Sequence, residues 1–453
     1  MTLDSDLQKC FVSLSAACDA LNAKCSSHEL EGISKLIIQS MTGPWRSFHT
    51  PDHIFLVGQG GDPIEVISAL FHDMVYVQVD QGVNVNIARF IAPFIHEVNN
   101  QLIIVGDPEL LEDPIFKMTL MIFGFKQGDT LMPMAGQNEF LSALLAAKVF
   151  NETLPLPVLA QIISCIEATI PFRGPDAAGV SSSEKLFLRL KNVNEVFNFS
   201  WSDESIISIV ERGVKVSNRD VENFSSDQSA HFLDNTWNLI PETNHDLKRV
   251  NTYTVNGYRV SLQKMDGFLN FLKAEVVFKH FHSEPSASRF DELVGKTKHN
   301  LEVARLYLGM KLTSIAILEC IAARVGRDIS VAMLMGELPV DGKPSFGLEQ
   351  LLPPVVNPIT SSNPLEQEVL SLLELGRNFS SDYDVKNSPI ATFMVKSLGF
   401  SEMRDLLLRA REFFKGEKTS EQFLSCCPHE LVHAITASIA HLFDTRKSLL
   451  LKT

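Results

Sequence analysis

The sequence is short of the features that usually betray a function. Its seven cysteines are Cys10, Cys18, Cys25, Cys165, Cys320, Cys426 and Cys427. The number is odd and no C-x-x-C pair occurs, so no disulfide framework is expected, and the thiols should be reduced. Positive charge is scarce: 40 Lys and Arg face 54 Asp and Glu, a net charge of −14. That balance argues against general binding of nucleic-acid backbone or of an anionic membrane surface. There is no G-x-x-x-x-G-K-[ST] phosphate loop, and Gly58-Gln59-Gly60-Gly61 lacks the strand–helix setting of a dinucleotide loop. The best apolar run, Leu306 to Val325, is interrupted by Lys311, Glu319 and Arg324, so no membrane span is expected. The N-terminus is acidic where a signal peptide would be basic. A soluble, cytoplasmic protein is the expectation.

What the chain does have is apolar residues. They make up 45% of the 453 positions, ample for more than one core, and the length suggests two domains or three. Apolar residues recur at helical spacing through most of the chain, as in Leu3, Leu7, Phe11, Leu14, Cys18 and Leu21, and an all-α fold follows. The texture changes near residue 226. Before it, short helices alternate with proline and glycine breaks. After it, long helices are expected over 255–281 and 288–324, then a proline-rich stretch at 336–364 and three or four closing helices. The division is therefore 1–225 and 226–453.

The stretch from Trp45 to Tyr76 carries the chemistry. It holds His49, His53, His72 and Asp73 within otherwise apolar segments. Ile67, Leu70, Phe71, Met74 and Val75 mark a buried helical face. A His–Asp pair on such a face must be satisfied, because a buried unpaired carboxylate is very costly. A divalent metal is an economical partner for imidazole and carboxylate together, and Mn, Fe, Zn, Co or Mg would suit the mixture. Arg46, one turn before this box, is a candidate phosphate clamp. Arg173, Lys185, Arg189, Lys215 and Arg219 are weaker candidates for that role.

His49-x-x-x-His53 followed by His72-Asp73 resembles the start of the HD superfamily of metal-dependent phosphohydrolases, whose pattern is H … HD … D. Phe48-His49-x-x-x-His53 is similar to a box of the cyclic-nucleotide phosphodiesterases, and Asn138-Glu139-x-x-Ser142-Ala143 resembles a motif of one bacterial branch. The resemblance implies an HD-type helical bundle over 1–225 with His53, His72, Asp73 and a late aspartate as metal ligands. Asp220 is the choice for the last, with Asn218 and Asp203 as alternatives. It implies His49 as the acid that protonates a leaving oxygen, and Glu139 as a hydrogen-bonding partner of a ligand histidine or a water. The implied activity is hydrolysis of a phosphoester in a nucleotide or nucleotide-derived substrate, with metal-activated water as nucleophile. The alternative is a catalytically inactive HD scaffold that binds a partner. The C-terminal helical domain has no assignable role and is a candidate surface for a homodimer.

Two further histidine patterns compete. His96 could add a ligand, although a structural histidine is the simpler reading. His429-Glu430-Leu431-Val432-His433 matches the H-E-x-x-H zinc-peptidase helix, but no third ligand follows at a usable spacing.

Overall fold

The computed structural model describes residues 3–248, 253–324, 329–331, 348–381 and 383–442. It is 68% helical and 4% strand, an all-α fold with one small sheet. The chain forms two compact units, Met1–Ser225 with Lys273–Thr297, and Ser226–Leu272 with Lys298–Thr453. The segment 273–297, which the sequence reading assigns to the second domain, thus belongs to the first. The helix expected to run to 281 stops at Phe271, where Leu272 turns to extended backbone. The apolar residues beyond it are buried for another reason: Phe281, 5% exposed, joins the core of the first unit.

The first unit opens with α1 (Leu3–Ala20) and α2 (Ser27–Met41). Ser26 and Glu29 form a capping box that starts α2, satisfying two backbone donors that the first turn would leave open. Then come α3 (Pro51–Gly58), α4 (Pro63–Phe71), α5 (Val77–Asp80) and α6 (Val85–Ile91). Proline occupies the first turn of both α3 and α4, where its missing N–H costs nothing. β1 (Ile95–Val98) and β2 (Gln101–Ile104) form an antiparallel hairpin. Its two-residue turn, Asn99-Asn100, has φ of 51° and 60°, the positive pair that a type I′ turn requires and asparagine tolerates. His96 therefore lies on an exposed strand, opposite Ile103.

α7 (Pro114–Phe123), the short β3 (Thr130–Leu131), α8 (Gln137–Val149), α9 (Leu156–Ala168), α10 (Ser182–Phe197) and α11 (Asp203–Asp220) complete the set. Asp113 caps α7 by accepting from the Ile115 and Phe116 amides. The core sits on α4, α8 and α9, where Ile64–Phe71, Phe140–Ala147 and Leu159–Ala168 are almost wholly buried. A helix that is apolar all round belongs at the centre. α11 is amphipathic instead and lies over α9, with Ile206, Ile209, Val210 and Val214 buried. Gly213 sets how close the two helices come, because a Cβ there would stand 2.9 Å from the Ala168 Cβ.

The second unit contains α12 (Ser229–Leu239), α13 (Val255–Phe271), most of α14 (Ala287–Arg324) and helices over Pro364–Leu375, Pro389–Phe414 and His429–Leu442. Gly399, at φ 76°, breaks Pro389–Phe414 into two helices, as its sequence pattern suggests. Asp384 is a polar centre in this unit: it accepts hydrogen bonds from Trp237 Nε1 at 2.7 Å, Tyr258 Oη at 2.7 Å and Lys311 Nζ at 2.8 Å. Among the described residues only α14 is long and apolar enough to cross a membrane, and 83% of its most apolar window is buried inside the protein. A core helix meets that description.

Replacing Gly213 by Val should force α11 away from α9 and cost about 1–3 kcal/mol of stability. Urea unfolding monitored by circular dichroism measures it, and an unchanged midpoint would show that the two helices have slack.

Candidate metal centre

Three short stretches build this site. Asp62 begins α4 by accepting from the Ile64 and Glu65 amides, each at 3.0 Å. Two and a half turns later the helix ends and His72 stands at its C-terminal cap. There its Nδ1 lies 2.8 Å from the Ala69 carbonyl. A carbonyl only accepts, so Nδ1 carries the hydrogen, and in the neutral ring Nε2 is left with its lone pair directed into the site. Asp73 follows directly. His53 comes from the first turn of α3, and Asp220 is the last residue of α11.

These four side chains meet. One ligand atom from each of His53, His72, Asp73 and Asp220 lies within 4.8 Å of the others. His53 Nε2 is 3.3 Å from Asp73 Oδ2 and 3.0 Å from Asp220 Oδ1. His72 Nε2 is 2.9 Å and 3.4 Å from the same two atoms. Bonds of about 2.1 Å to one ion put neighbouring ligands about 3.0–3.4 Å apart, so the donor set fits a divalent cation. Burial fits too: the side chains of His53 and His72 are 8% and 1% exposed, and those of Asp73 and Asp220 are 17% and 16%. A further sign comes from Asp73 Oδ2. It is within ion-pair reach of both imidazoles, yet it is buried without a hydrogen bond in proper geometry. A buried carboxylate oxygen lacking a donor requires a cation or a proton close by.

The titration behaviour agrees. Burial alone would lower the His53 pKa, but the Asp220 and Asp73 carboxylates outweigh it and raise the value to about 9. His72 is raised well above the usual range: burial opposes this, and Asp73 and Asp220 prevail. Burial would raise Asp220, but His72 and His53 hold it down at about 2. Without metal the cluster is thus held together by imidazolium protons, and a metal must displace them.

Asp220 is delivered by ion pairs the sequence reading did not find. Arg212 Nε reaches Asp62 Oδ2 at 2.6 Å, and Arg219 Nη2 reaches Glu65 Oε2 at 2.8 Å. Arg212 and Arg219 are seven residues apart, two helical turns, and Asp62 and Glu65 share the first turn of α4. The spacing is visible in retrospect, but nothing in one sequence couples the two helices. Of the alternatives to Asp220, Asp203 pairs with Lys191 at the other end of α11, about 25 Å away by helix rise. Asn218 turns its amide to the backbone of Lys279, accepting from N at 2.8 Å and donating to O at 2.9 Å. Neither is at the cluster.

The other predicted residues divide. The His49 ring is 5.6 Å from that of His53 and 4.7 Å from that of Tyr76, beside the four ligands but not among them. It lies on the bend before α3 rather than on a helical turn. Glu139 sits in the first turn of α8 with Oε2 buried and without a hydrogen bond. Burial, reinforced by the negative charge of Asp73 and Asp220, raises its pKa to about 7. Arg46 requires a correction. Its side chain is fully buried and its donors are spent on Asp80, the Asp73 carbonyl at 2.8 Å and the Met74 carbonyl at 3.3 Å. It braces the backbone after His72 instead of offering a clamp.

The weaker clamp candidates are also engaged. Arg173 and Arg189 share Glu167, Lys185 pairs with Asp176, Lys215 with Glu284 and Arg219 with Glu65. Lys279, which no sequence signal singled out, enters the core and donates to the Ala168 and Ile170 carbonyls and to Ser217 Oγ. Burial, aided by the charge of Arg173, lowers its pKa to about 7. His429, Glu430 and His433 are exposed on the first turns of a surface helix, with parallel rings 6.2 Å apart. Among the described residues no third ligand joins them.

The molecule is thus an all-α protein with a buried His/Asp group able to hold a metal ion. Comparisons of the chain with protein-family models, with curated proteins and with solved structures give no match.

The sign of the pH response follows from His53. Its raised pKa stabilises the metal-free fold below 6.5, and that stabilisation is lost as pH rises through about 9. In EDTA the melting temperature should fall over this interval while affinity for Mn2+ rises, and His53→Gln should flatten the first trend. Calorimetry over a pH series measures both; a metal affinity independent of pH would refute the displaced protons.

Proposed function

We propose that this chain is a metal-dependent phosphohydrolase of the HD type, acting on a phosphoester of a nucleotide or nucleotide-derived molecule. The observation that carries the reading is the convergence of His53, His72, Asp73 and Asp220 within 4.8 Å, on the residues of the H … HD … D pattern. A bound divalent ion, Mn, Fe, Zn, Co or Mg, would supply Lewis-acid activation of a phosphoryl oxygen and of water. The four ligands hold and orient that ion, and Arg46 keeps the Asp73 backbone in place. His49, beside His53, donates the proton that the leaving oxygen takes. Glu139, with a pKa near neutrality, can accept a proton from within the buried side of the site.

The nucleotide assignment draws support from a cleft of ≈ 830 Å³ in the same unit, lined among others by Val77, Gln78, Gln81, Gln101 and Gln137. None of the four ligands lines this cleft; its link to them is along the chain, with Val77 after the His72-Asp73 pair and Gln137 before Glu139 in α8. Side-chain amides over apolar walls suit the donor–acceptor edge of a nucleobase.

A second reading, an HD-type scaffold without activity, is favoured by one observation. Each arginine and lysine considered as a phosphate clamp already has a carboxylate partner. A panel of cyclic nucleotides, nucleoside phosphates and guanosine tetraphosphate, incubated with Mn-loaded protein, separates the two. Hydrolysis of one of them should fall about 10²–10⁴-fold in His49→Ala with metal content unchanged. His72→Ala should lose the metal, and His433→Ala should keep it. Turnover of no phosphoester by a metal-replete protein would favour the scaffold.

A further inference from the structure

The distal ligand occupies an awkward position for a metal site. Asp220 is the last residue of α11. The final turn of a helix lacks partners for its carbonyls and is the part that frays first. A carboxylate there holds its place only if something outside the helix grips that turn.

The structure supplies a grip on each side. On one side Arg219 pairs with Glu65 of α4 at 2.8 Å. On the other runs the strap of residues 273–286, which the chain reaches after α13 and leaves at α14. The strap follows one face of α11, meeting Glu211, Lys215 and Asn218, positions i, i+4 and i+7. Ser283 binds Glu211 Oε1 through N at 3.1 Å and Oγ at 2.7 Å, and Glu284 faces Lys215 at 3.8 Å. The strap contacts nearest Asp220 come from Lys279. The Asn218 amide closes a two-bond clamp with the Lys279 backbone, at 2.8 and 2.9 Å. Lys279 is 7% exposed, and its Nζ ties Ser217 Oγ at 3.0 Å to the Ala168 and Ile170 carbonyls at the end of α9. Three contacts of one Nζ thus fasten the last turn of α11 to the end of a core helix.

We infer that Asn218 and Lys279 are positioning residues for the metal centre: by clamping the strap to the final turn of α11, they hold the Asp220 carboxylate at the two imidazoles. The inference rests on the metal reading but not on the phosphoester reading. Without the clamp the other three ligands stay where they are, and the fourth becomes a group on a loose helix end. The loss falls on metal affinity, not on the fold at large.

The test uses the full chain and Mn2+ titrated by calorimetry into metal-free protein. Asn218→Ala and Lys279→Met should each bind Mn2+ roughly tenfold or more weakly than wild type, with unchanged far-UV circular dichroism. The visible spectrum of the Co2+ form should change in both, reporting an altered ligand set. Ser283→Ala, which removes a strap contact about 2.5 turns before Asp220, should bind as wild type does. If Lys279→Met fails to fold, Asn218→Ala decides alone. Variants that fold and bind Mn2+ with wild-type affinity overturn the inference, even if their metal-free melting temperature drops, since that is what a purely structural clamp would do. A wild-type protein that takes up no metal overturns this inference together with the metal reading. A wild-type protein that binds metal but cleaves no phosphoester leaves it standing.

Discussion

Two carboxylates and two imidazoles share a buried space that hydrogen bonds from neutral rings cannot fully satisfy. The neutral His72 ring presents its lone pair to Asp73 Oδ2 at 2.9 Å, and that oxygen makes no hydrogen bond in proper geometry. Charge of the opposite sign has to be brought in, either as protons on the histidines or as a metal. Much of the first unit can be understood as the means of keeping that unfavourable meeting in place. The apolar helices α4, α8 and α9 provide a rigid, well-packed base. The groups that do not fit an apolar core are gathered at the ends of the surrounding helices.

α11 illustrates how this is done. One stripe, with Ile209, Val210, Gly213 and Val214, packs on α9. A second, Arg212 and Arg219, pairs with the acidic first turn of α4. A third, Glu211, Lys215 and Asn218, receives the strap. Each stripe makes a different kind of contact, and the helix end that bears Asp220 is where they come together. Arg46 plays a comparable part on the other side, joining the carbonyls after His72 to Asp80. A buried guanidinium with carboxylate and carbonyl partners is expensive to leave unpaired, so its loss would be felt by the backbone it braces.

The second unit solves a similar problem differently. Asp384 collects donors from Trp237, Tyr258 and Lys311 in a buried aromatic setting. There the carboxylate meets donors in good geometry, so it reads as a satisfied polar core and needs no ion. The contrast with Asp73 separates the two carboxylates: both are buried and charged, but Asp384 accepts three hydrogen bonds and Asp73 Oδ2 accepts none in proper geometry.

Local pattern made much of this legible. Helical spacing and proline, glycine and acidic caps located α1 to α4, α8, α9 and α11 in the sequence, because periodicity and capping act over a few residues. The same short-range logic flagged His53, His72 and Asp73, since a His–Asp pair within an apolar face is anomalous wherever it occurs. Asp220 came from a resemblance, and its rivals Asn218 and Asp203 could not be separated by composition. Tertiary structure decided between them, along with the fate of Arg46 and the existence of the strap. Those outcomes depend on contacts across 27 to 167 residues of chain, and such contacts leave no period behind. A sequence records which side chains need a partner; only the folded chain determines which partner each one reaches.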